Sequence, residues 1–292
     1  MKKILKPSLL AALSIVLSAC APVNLLNAIT PSSTFTKSSN QSYGELSRQT
    51  LDIYRAKAPK ANAPVLVFTH GGSWDSGNKD IYKFLAEGFT KEGYSVVVPN
   101  YRLYPAARYP EMIVDTAKAI KYVSLQFPER PLVVMGHSAG GYNTLMAMQV
   151  PKFSQNENLA VCKRIAGIVS LAAPTGIIPL KEEPFITIFP DRFTGNDAPL
   201  NNVKTAMPPV FFVHGSKDTT VYPQNSQQLA DAIISNGGQA KVKIYEGLDH
   251  IDVIKHISRH FDGRVSIKSD IIDFIENLNL EAEQFCSISI AN

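Results

Sequence analysis

Cysteine is scarce in this chain, with 3 among 292 residues, at Cys20, Cys162 and Cys286. No two of them stand at zinc-ligand spacing, which excludes a zinc ribbon and a disulfide-stapled miniature fold. A Gly-x-Gly-x-x-Gly fingerprint is missing, and Gly77 is followed by Asn78 where a phosphate-binding loop requires lysine. Neither a nucleotide cofactor nor a metal is therefore expected. Charged residues are only 18% of the chain, and the net charge is +4. Lys2, Lys3 and Lys6 supply three of those positive charges, so the remainder stands near +1 and offers no basic face to nucleic acid. No apolar run approaches the ~20 residues of a membrane-spanning helix. What remains is a chain long enough to bury one large core without staples.

The first positive signal is at the N-terminus. Lys2-Lys3-Ile4-Leu5-Lys6 is a basic lead-in to the short apolar stretch Leu9 to Leu17, followed by Leu17-Ser18-Ala19-Cys20. The small residues suit a cleavage site, and the cysteine behind them resembles a bacterial lipobox. That resemblance implies a signal peptide over residues 1–19, diacylglyceryl attachment to the Cys20 thiol, and acylation of the new amine. Ala21 in place of aspartate resembles sorting to the outer membrane, facing the periplasm. Residues 20–45, rich in Ser, Thr, Asn and Pro, then read as a lipidated N-terminus and flexible tether, with the folded domain over 46–292. Cys162 and Cys286 are left to pair or not, away from the motifs below. The oligomeric state is left open.

The second signal is Val133-Val134-Met135-Gly136-His137-Ser138-Ala139-Gly140-Gly141. A β-branched run enters a Gly-x-Ser-x-Gly pentapeptide, and a helix-compatible segment follows at once. This is the pattern of a nucleophile elbow, which holds a serine oxygen at the tip of a strand–helix turn. Gly136 and Gly140 flank Ser138 where side chains would crowd the turn, and the helix start offers free N–H groups to negative charge.

A serine nucleophile needs a general base and an oxyanion stabiliser. Upstream, Val65-Leu66-Val67-Phe68-Thr69 ends in His70-Gly71-Gly72-Ser73-Trp74, whose glycines let backbone N–H groups turn inward. Downstream, Pro209-Val210-Phe211-Phe212-Val213 ends in His214-Gly215-Ser216-Lys217-Asp218, and the strand Lys241–Tyr245 leads to Gly247-Leu248-Asp249-His250. The chain order Ser138, Asp218, His250 is that of an α/β-hydrolase. Asp249 competes with Asp218, but adjacent side chains diverge, so Asp218 is the better orienting acid. Of the 6 histidines, His70, His137 and His214 read as structural. His256 and His260 share a helix face without a metalloprotease pattern. Only His250 follows a strand late enough to be the base.

These motifs, with Asn100-Tyr101-Arg102-Leu103-Tyr104-Pro105 between them, run in the order of the α/β-hydrolase esterases. From about Leu51 to about Leu280 the chain resembles the hormone-sensitive-lipase-like carboxylesterases and the kynurenine formamidases. The resemblance implies Ser138, Asp218 and His250 as a triad, and Gly72, Ser73 and Ala139 as donors of the oxyanion N–H groups. It also implies a small-molecule ester as substrate, with an amide hydrolase of arylformamidase or peptidase type as the alternative. A catalytically silent binding lipoprotein is a third possibility, opposed by the intact triad residues. One departure matters, because Ser73 stands where lipase-like members commonly place a third glycine.

Strand and helix patterns alternate along the rest, which predicts an α/β fold with a mostly parallel sheet covered on both faces. Strands are expected at Leu51–Arg55, Val65–Thr69, Tyr94–Pro99, Leu132–Met135, Ile165–Leu171, Val210–Val213 and Lys241–Tyr245. Helices are expected at Lys79–Glu92, Pro110–Phe127, Gly141–Val150, Gln224–Ser235 and Ser269–Leu280. The excursion from Ala172 to Pro208 carries Phe185, Ile186, Ile188, Phe189 and Phe193. It reads either as a wall of the substrate pocket or as a short helix packed on the sheet. Trp74, Phe185 and Phe189 are the candidate substrate contacts.

Overall fold

The β-branched runs all fall in one sheet. A computed structural model of the chain describes residues 23–150, 152–153, 164–176, 183–189, 197–204 and 207–280. The strands are β1 Phe35–Ser42, β2 Thr50–Ala56, β3 Val65–Thr69, β4 Val96–Pro99, β5 Leu132–His137, β6 Ile165–Leu171, β7 Val210–Gly215 and β8 Ala240–Tyr245. They lie in the order β1-β2-β4-β3-β5-β6-β7-β8. The β1–β2 and β2–β4 pairs are antiparallel, and every later neighbour is parallel.

Alternation along each strand divides the apolar residues between two cores. Leu66, Phe68, Val96, Val98, Val133 and Met135 face one side, while Val65, Val67, Val97, Leu132 and Val134 face the other. The first core is covered by α1 (residues 23–29), α2 (Lys83–Thr90) and α6 (Ile267–Glu276). The second is covered by α3 (Glu111–Gln126), α4 (Ala139–Gln149) and α5 (Gln224–Ser235). The α/β-hydrolase arrangement expected from the motifs is thus present, with all seven predicted strands near their predicted bounds. The predicted helix over Lys79–Glu92 is broken into a 3-10 turn, Lys79–Tyr82, and α2.

One expectation fails. Residues 23–42 are part of the fold and not a flexible tether: α1 packs on the sheet and β1 adds an eighth strand. The strand was illegible because its sequence, FTKSSNQS, is polar and buries only Phe35. Polar side chains on such an edge discourage pairing with other chains. A bulge between Ser38 and Gln41 puts Asn40 at φ 53°, and its N–H donates to Asp52 Oδ1 at 2.9 Å. Asp52 also meets Lys37 at 2.7 Å and the buried Lys79 at 3.0 Å. Burial alone would push its carboxyl up, but these partners outweigh burial and hold it below the usual carboxylate range. The expected signal peptide, Cys20, Cys162, Cys286 and Phe193 lie outside the described residues.

Candidate active site

β5 ends at His137 and α4 begins at Ala139, so Ser138 alone makes the turn, at φ 53° and ψ −124°. A side chain is rarely held at positive φ, and such strain collects at functional sites. Ser138 is fixed there by its N–H donating to Leu171 O at 2.9 Å and by Tyr142 N–H donating to Ser138 O at 3.1 Å. The flanking glycines serve close approach. A Cβ on Gly136 would lie 2.4 Å from Gly140 O, and one on Gly140 would lie 2.2 Å from Thr69 O.

The loop after β3 leans on this elbow, since a Cβ on Gly71 would lie 3.2 Å from Ser138 Cβ. Gly72, Ser73 and Trp74 follow at φ 123°, 50° and 61°. Ser73 therefore occupies a left-handed position that glycine would take without strain. Among the described residues, no acceptor meets the N–H groups of Gly72, Ser73 or Ala139. Several contacts hold the loop. The Trp74 indole N–H donates to Asn143 Oδ1 on α4 at 2.9 Å, and the ring stands edge-on to Tyr142 at 5.2 Å and to Phe189 at 4.8 Å. Arg48 donates to Gly77 O at 3.0 Å. His70 donates from Nδ1 to Gly71 O at 2.7 Å and stacks on Tyr101, so it braces its own loop; burial lowers its pKa to about 4.

Asp218 and His250 meet at the ends of β7 and β8, with His250 Nδ1 2.7 Å from Asp218 Oδ2. The other oxygen, Oδ1, accepts from Thr220 N–H and Val221 N–H, each at 2.9 Å. Burial pushes the Asp218 carboxyl up, but hydrogen bonds from His214 and His250 and the Val221 N–H hold it well below the usual range. An ionised carboxylate accepts only, so His250 carries its proton on Nδ1 and leaves Nε2 free to act as a base. Asp249 instead accepts from the N–H groups of Ile251 and Asp252 and shapes the turn.

The histidine before the nucleophile ties these parts together. His137 donates from Nε2 to His250 O at 2.9 Å, and the two rings lie 4.8 Å apart. Burial lowers its pKa to about 3, so it stays neutral. His214 is buried as a structural residue, yet it touches the acid directly. Its Nε2 lies 2.7 Å from Val221 O and 3.2 Å from Asp218 Oδ2, so that nitrogen bears the proton. With Nε2 the donor, Nδ1 accepts from Ser226 Oγ at 2.8 Å. Sequence reading missed this second contact with Asp218, and it missed Asn143; the four-residue step from His214 to Asp218 was the available signal.

Of the candidate pocket residues, Trp74 and Phe189 are buried against each other, and Phe185 packs at their margin with its ring 6.3 Å from Trp74. The excursion includes a short helix, Phe185–Ile188, seated on this aromatic cluster. A cavity of about 650 Å³ lies between the β1–β2 turn and α3 and is lined by Tyr43, Leu46, Gln49, Arg102 and Leu125. It touches none of Ser138, Asp218 and His250. No group of His, Cys, Asp and Glu able to hold a metal occurs among the described residues. His256 instead lies 2.8 Å from Asp252 O through Nδ1 and packs on Phe261.

Comparison with known proteins gives the family and the fold. Residues 51–233 match the family described as BD-FAE, and residues 193–278 match the prolyl oligopeptidase family. Kynurenine formamidase of Drosophila melanogaster is 24% identical over 255 residues, covering 82% of this chain and 80% of that protein. An isoprenylcysteine alpha-carbonyl methylesterase of Arabidopsis thaliana is 24% identical over 238 residues, covering 72% of this chain but only 56% of its own length. Among solved structures, esterase B of Lactobacillus rhamnosis superimposes with a TM-score of 0.74 at 17% identity, covering 94% of this chain and 96% of that one. At that identity the likeness speaks for the fold alone.

Proposed function

The chain belongs to the BD-FAE family of α/β-hydrolases, and from that premise we propose that it is a serine esterase cleaving small to medium carboxylic esters through Ser138, His250 and Asp218. In this reading His250 Nε2 takes the Ser138 proton as Oγ attacks the carbonyl carbon. Asp218 fixes the imidazole tautomer and stabilises its charged form. The N–H groups of Gly72, Ser73 and Ala139 receive the oxyanion. His250 then protonates the departing alcohol, and water releases the acyl group from Ser138 by the same steps with roles reversed. The observation that carries the reading is the 2.7 Å bond from His250 Nδ1 to Asp218 Oδ2, joined through His137 to the strained Ser138.

The test is labelling by a fluorophosphonate probe, expected for the wild type and lost in Ser138→Ala. An unlabelled wild type would favour a binding protein. Hydrolysis of an amide is the second reading, favoured by the formamidase and prolyl oligopeptidase similarities. A panel of p-nitrophenyl esters against N-formyl anilides separates the two. Trp74, Phe185 and Phe189 wall a modest acyl pocket in this scheme. Each buried CH₂ contributes about 0.8 kcal/mol until the space is filled. Rates should therefore peak near butyryl or hexanoyl esters.

For the N-terminus we propose acylation at Cys20 and residence at the bacterial outer membrane, facing the periplasm. No helix among the described residues is long and apolar enough to cross a membrane. Cys20→Ser should then move active enzyme to the soluble periplasmic fraction.

A further inference from the structure

The segment expected to be a tether supplies a surface. Only Ala21 and Pro22 separate Cys20 from the first residue of α1. Those three residue steps span at most roughly 10 Å, whereas a free linker of some 25 residues would reach about 25 Å or more. α1 is also fixed to the domain. Val23 and Leu26 are buried in the first core, and Asn27 Nδ2 donates to Asp80 O at 2.8 Å. On its outer side Leu25 and Ile29 are 63% and 53% exposed. A spacing of four places them together on one helix face.

The position of α1 decides what this face can meet. Asp80 lies in the 3-10 turn that directly follows the loop carrying Gly72 and Ser73, and Lys79 N–H donates to Asn100 Oδ1, just past the end of β4. Because β3, β4 and β5 run parallel, this is the sheet edge that carries Ser138. Farther along, Thr34 Oγ1 meets Thr90 Oγ1 at the end of α2, and Phe35 pairs with Ala56 at the end of β2. Those contacts belong to the opposite edge. The chain therefore runs from the catalytic edge at Asn27 to the opposite edge at Thr34.

We propose that α1 is a membrane seat. With Cys20 acylated, Leu25 and Ile29 enter the interfacial layer of the bilayer and hold the catalytic edge beside it. The proposal rests on the lipid-anchor reading and assigns the site a substrate class, esters carried at or near the bilayer surface. An acyl anchor and an adjoining apolar face act together as two membrane signals, and stable attachment usually takes more than one.

The test uses the full chain, made in a host that lipidates it and reconstituted in phosphatidylethanolamine–phosphatidylglycerol vesicles. Cys162 and Cys286 are replaced by serine, and a polarity-sensitive fluorophore is placed through Ile29→Cys or, as control, through Ile234→Cys on the exposed side of α5. Lipid-borne spin labels should quench the first probe several-fold more than the second. The double variant Leu25→Ser/Ile29→Ser should lose activity several-fold on a vesicle-borne hexanoyl ester of a long-chain alcohol and keep it on p-nitrophenyl acetate. Acyl mass on Cys20 with equal quenching at both probes would overturn the seat and leave the anchor standing. Absence of acyl mass on Cys20 would overturn the anchor reading and the seat with it. Probe-to-probe energy transfer at Ile29 that rises with protein concentration would assign the face to a second copy and overturn the membrane as its occupant.

Discussion

The turn after β5 and the turn after β7 stand at one sheet edge and hold their functional side chains by opposite means. Ser138 is placed by backbone packing, squeezed between Gly136 and Gly140 at a strained φ, with no side chain of its own turn to fix it. Asp218 is placed by hydrogen bonds, with two backbone donors on one oxygen and two histidines on the other. A site built on close contact should be indifferent to polarity and intolerant of a methyl group. A site built on donors should show the reverse.

The largest effect expected is on the nucleophile itself. Ser138→Ala should leave only the ~10³–10⁴-fold over water that oxyanion stabilisation and binding can supply, with unchanged urea unfolding. Parent-level turnover by purified Ser138→Ala would break the scheme. Next comes the steric half of the comparison. Gly140→Ala forces a methyl into two backbone carbonyls and should cost about 3 kcal/mol or more in urea unfolding. Gly237→Ala, at φ 79° with nothing near its Cβ position, should cost only about 1 kcal/mol from strain. Equal losses at the two positions would remove the case for packing at the elbow.

The buried histidines give an effect of intermediate size. His70 and His137 titrate near 4 and 3 in the folded state, below the ~6.5 of the unfolded chain, so the unfolded state binds more protons between those values. Stability is full above pH ~6.5 and should fall as pH drops, by about 1.4 kcal/mol per pH unit for each histidine. Asp218, depressed below its unfolded value, adds a further loss only below pH ~4. Urea midpoints at pH 7, 6 and 5 measure the slope, and a flat profile would place protonated histidines in the fold. The smallest effect concerns the donor half of the comparison. His214→Phe removes one donor to Asp218, worth about 1–1.5 kcal/mol, so kcat/KM should fall roughly tenfold. His214→Gln, which can still donate, should restore most of the rate; a rate equally low in both variants, or unchanged in both, would make His214 mere packing.

How much of this was legible in the sequence depends on where the signal resided. β3 and β6 were read to the residue because buried parallel strands are continuous apolar runs. Ser138 and Asp218 were candidates because each follows such a run, and His250 because it follows the alternating strand before it. β1 was hidden because an edge strand needs only backbone partners, and its polar composition matches that of a linker. α1 was hidden because Val23 and Leu26 are too few to show a period. Contacts between distant positions were also beyond local pattern. Asn143 meets Trp74 across 69 residues and His137 meets His250 across 113. Ser73 was visible as a departure from glycine, but its left-handed φ needed coordinates.

β8 has a further consequence. Among the described residues it is the last strand and pairs only with β7, while a single residue of it, Tyr245, is buried. Tyr245 Oη donates to Asp270 Oδ2 on α6 at 2.6 Å, and Lys243 joins the same carboxylate. That clasp adds to the β7 ladder in restraining an outer strand whose following loop carries His250. Partial openings of a protein draw on such weakly protected margins well below the free energy of global unfolding. Fraying of this one strand would carry the base away from Asp218 while the rest of the sheet stays paired. Catalysis should therefore fail at a lower urea concentration than the helical circular dichroism, and amide exchange should run faster in β8 than in β5.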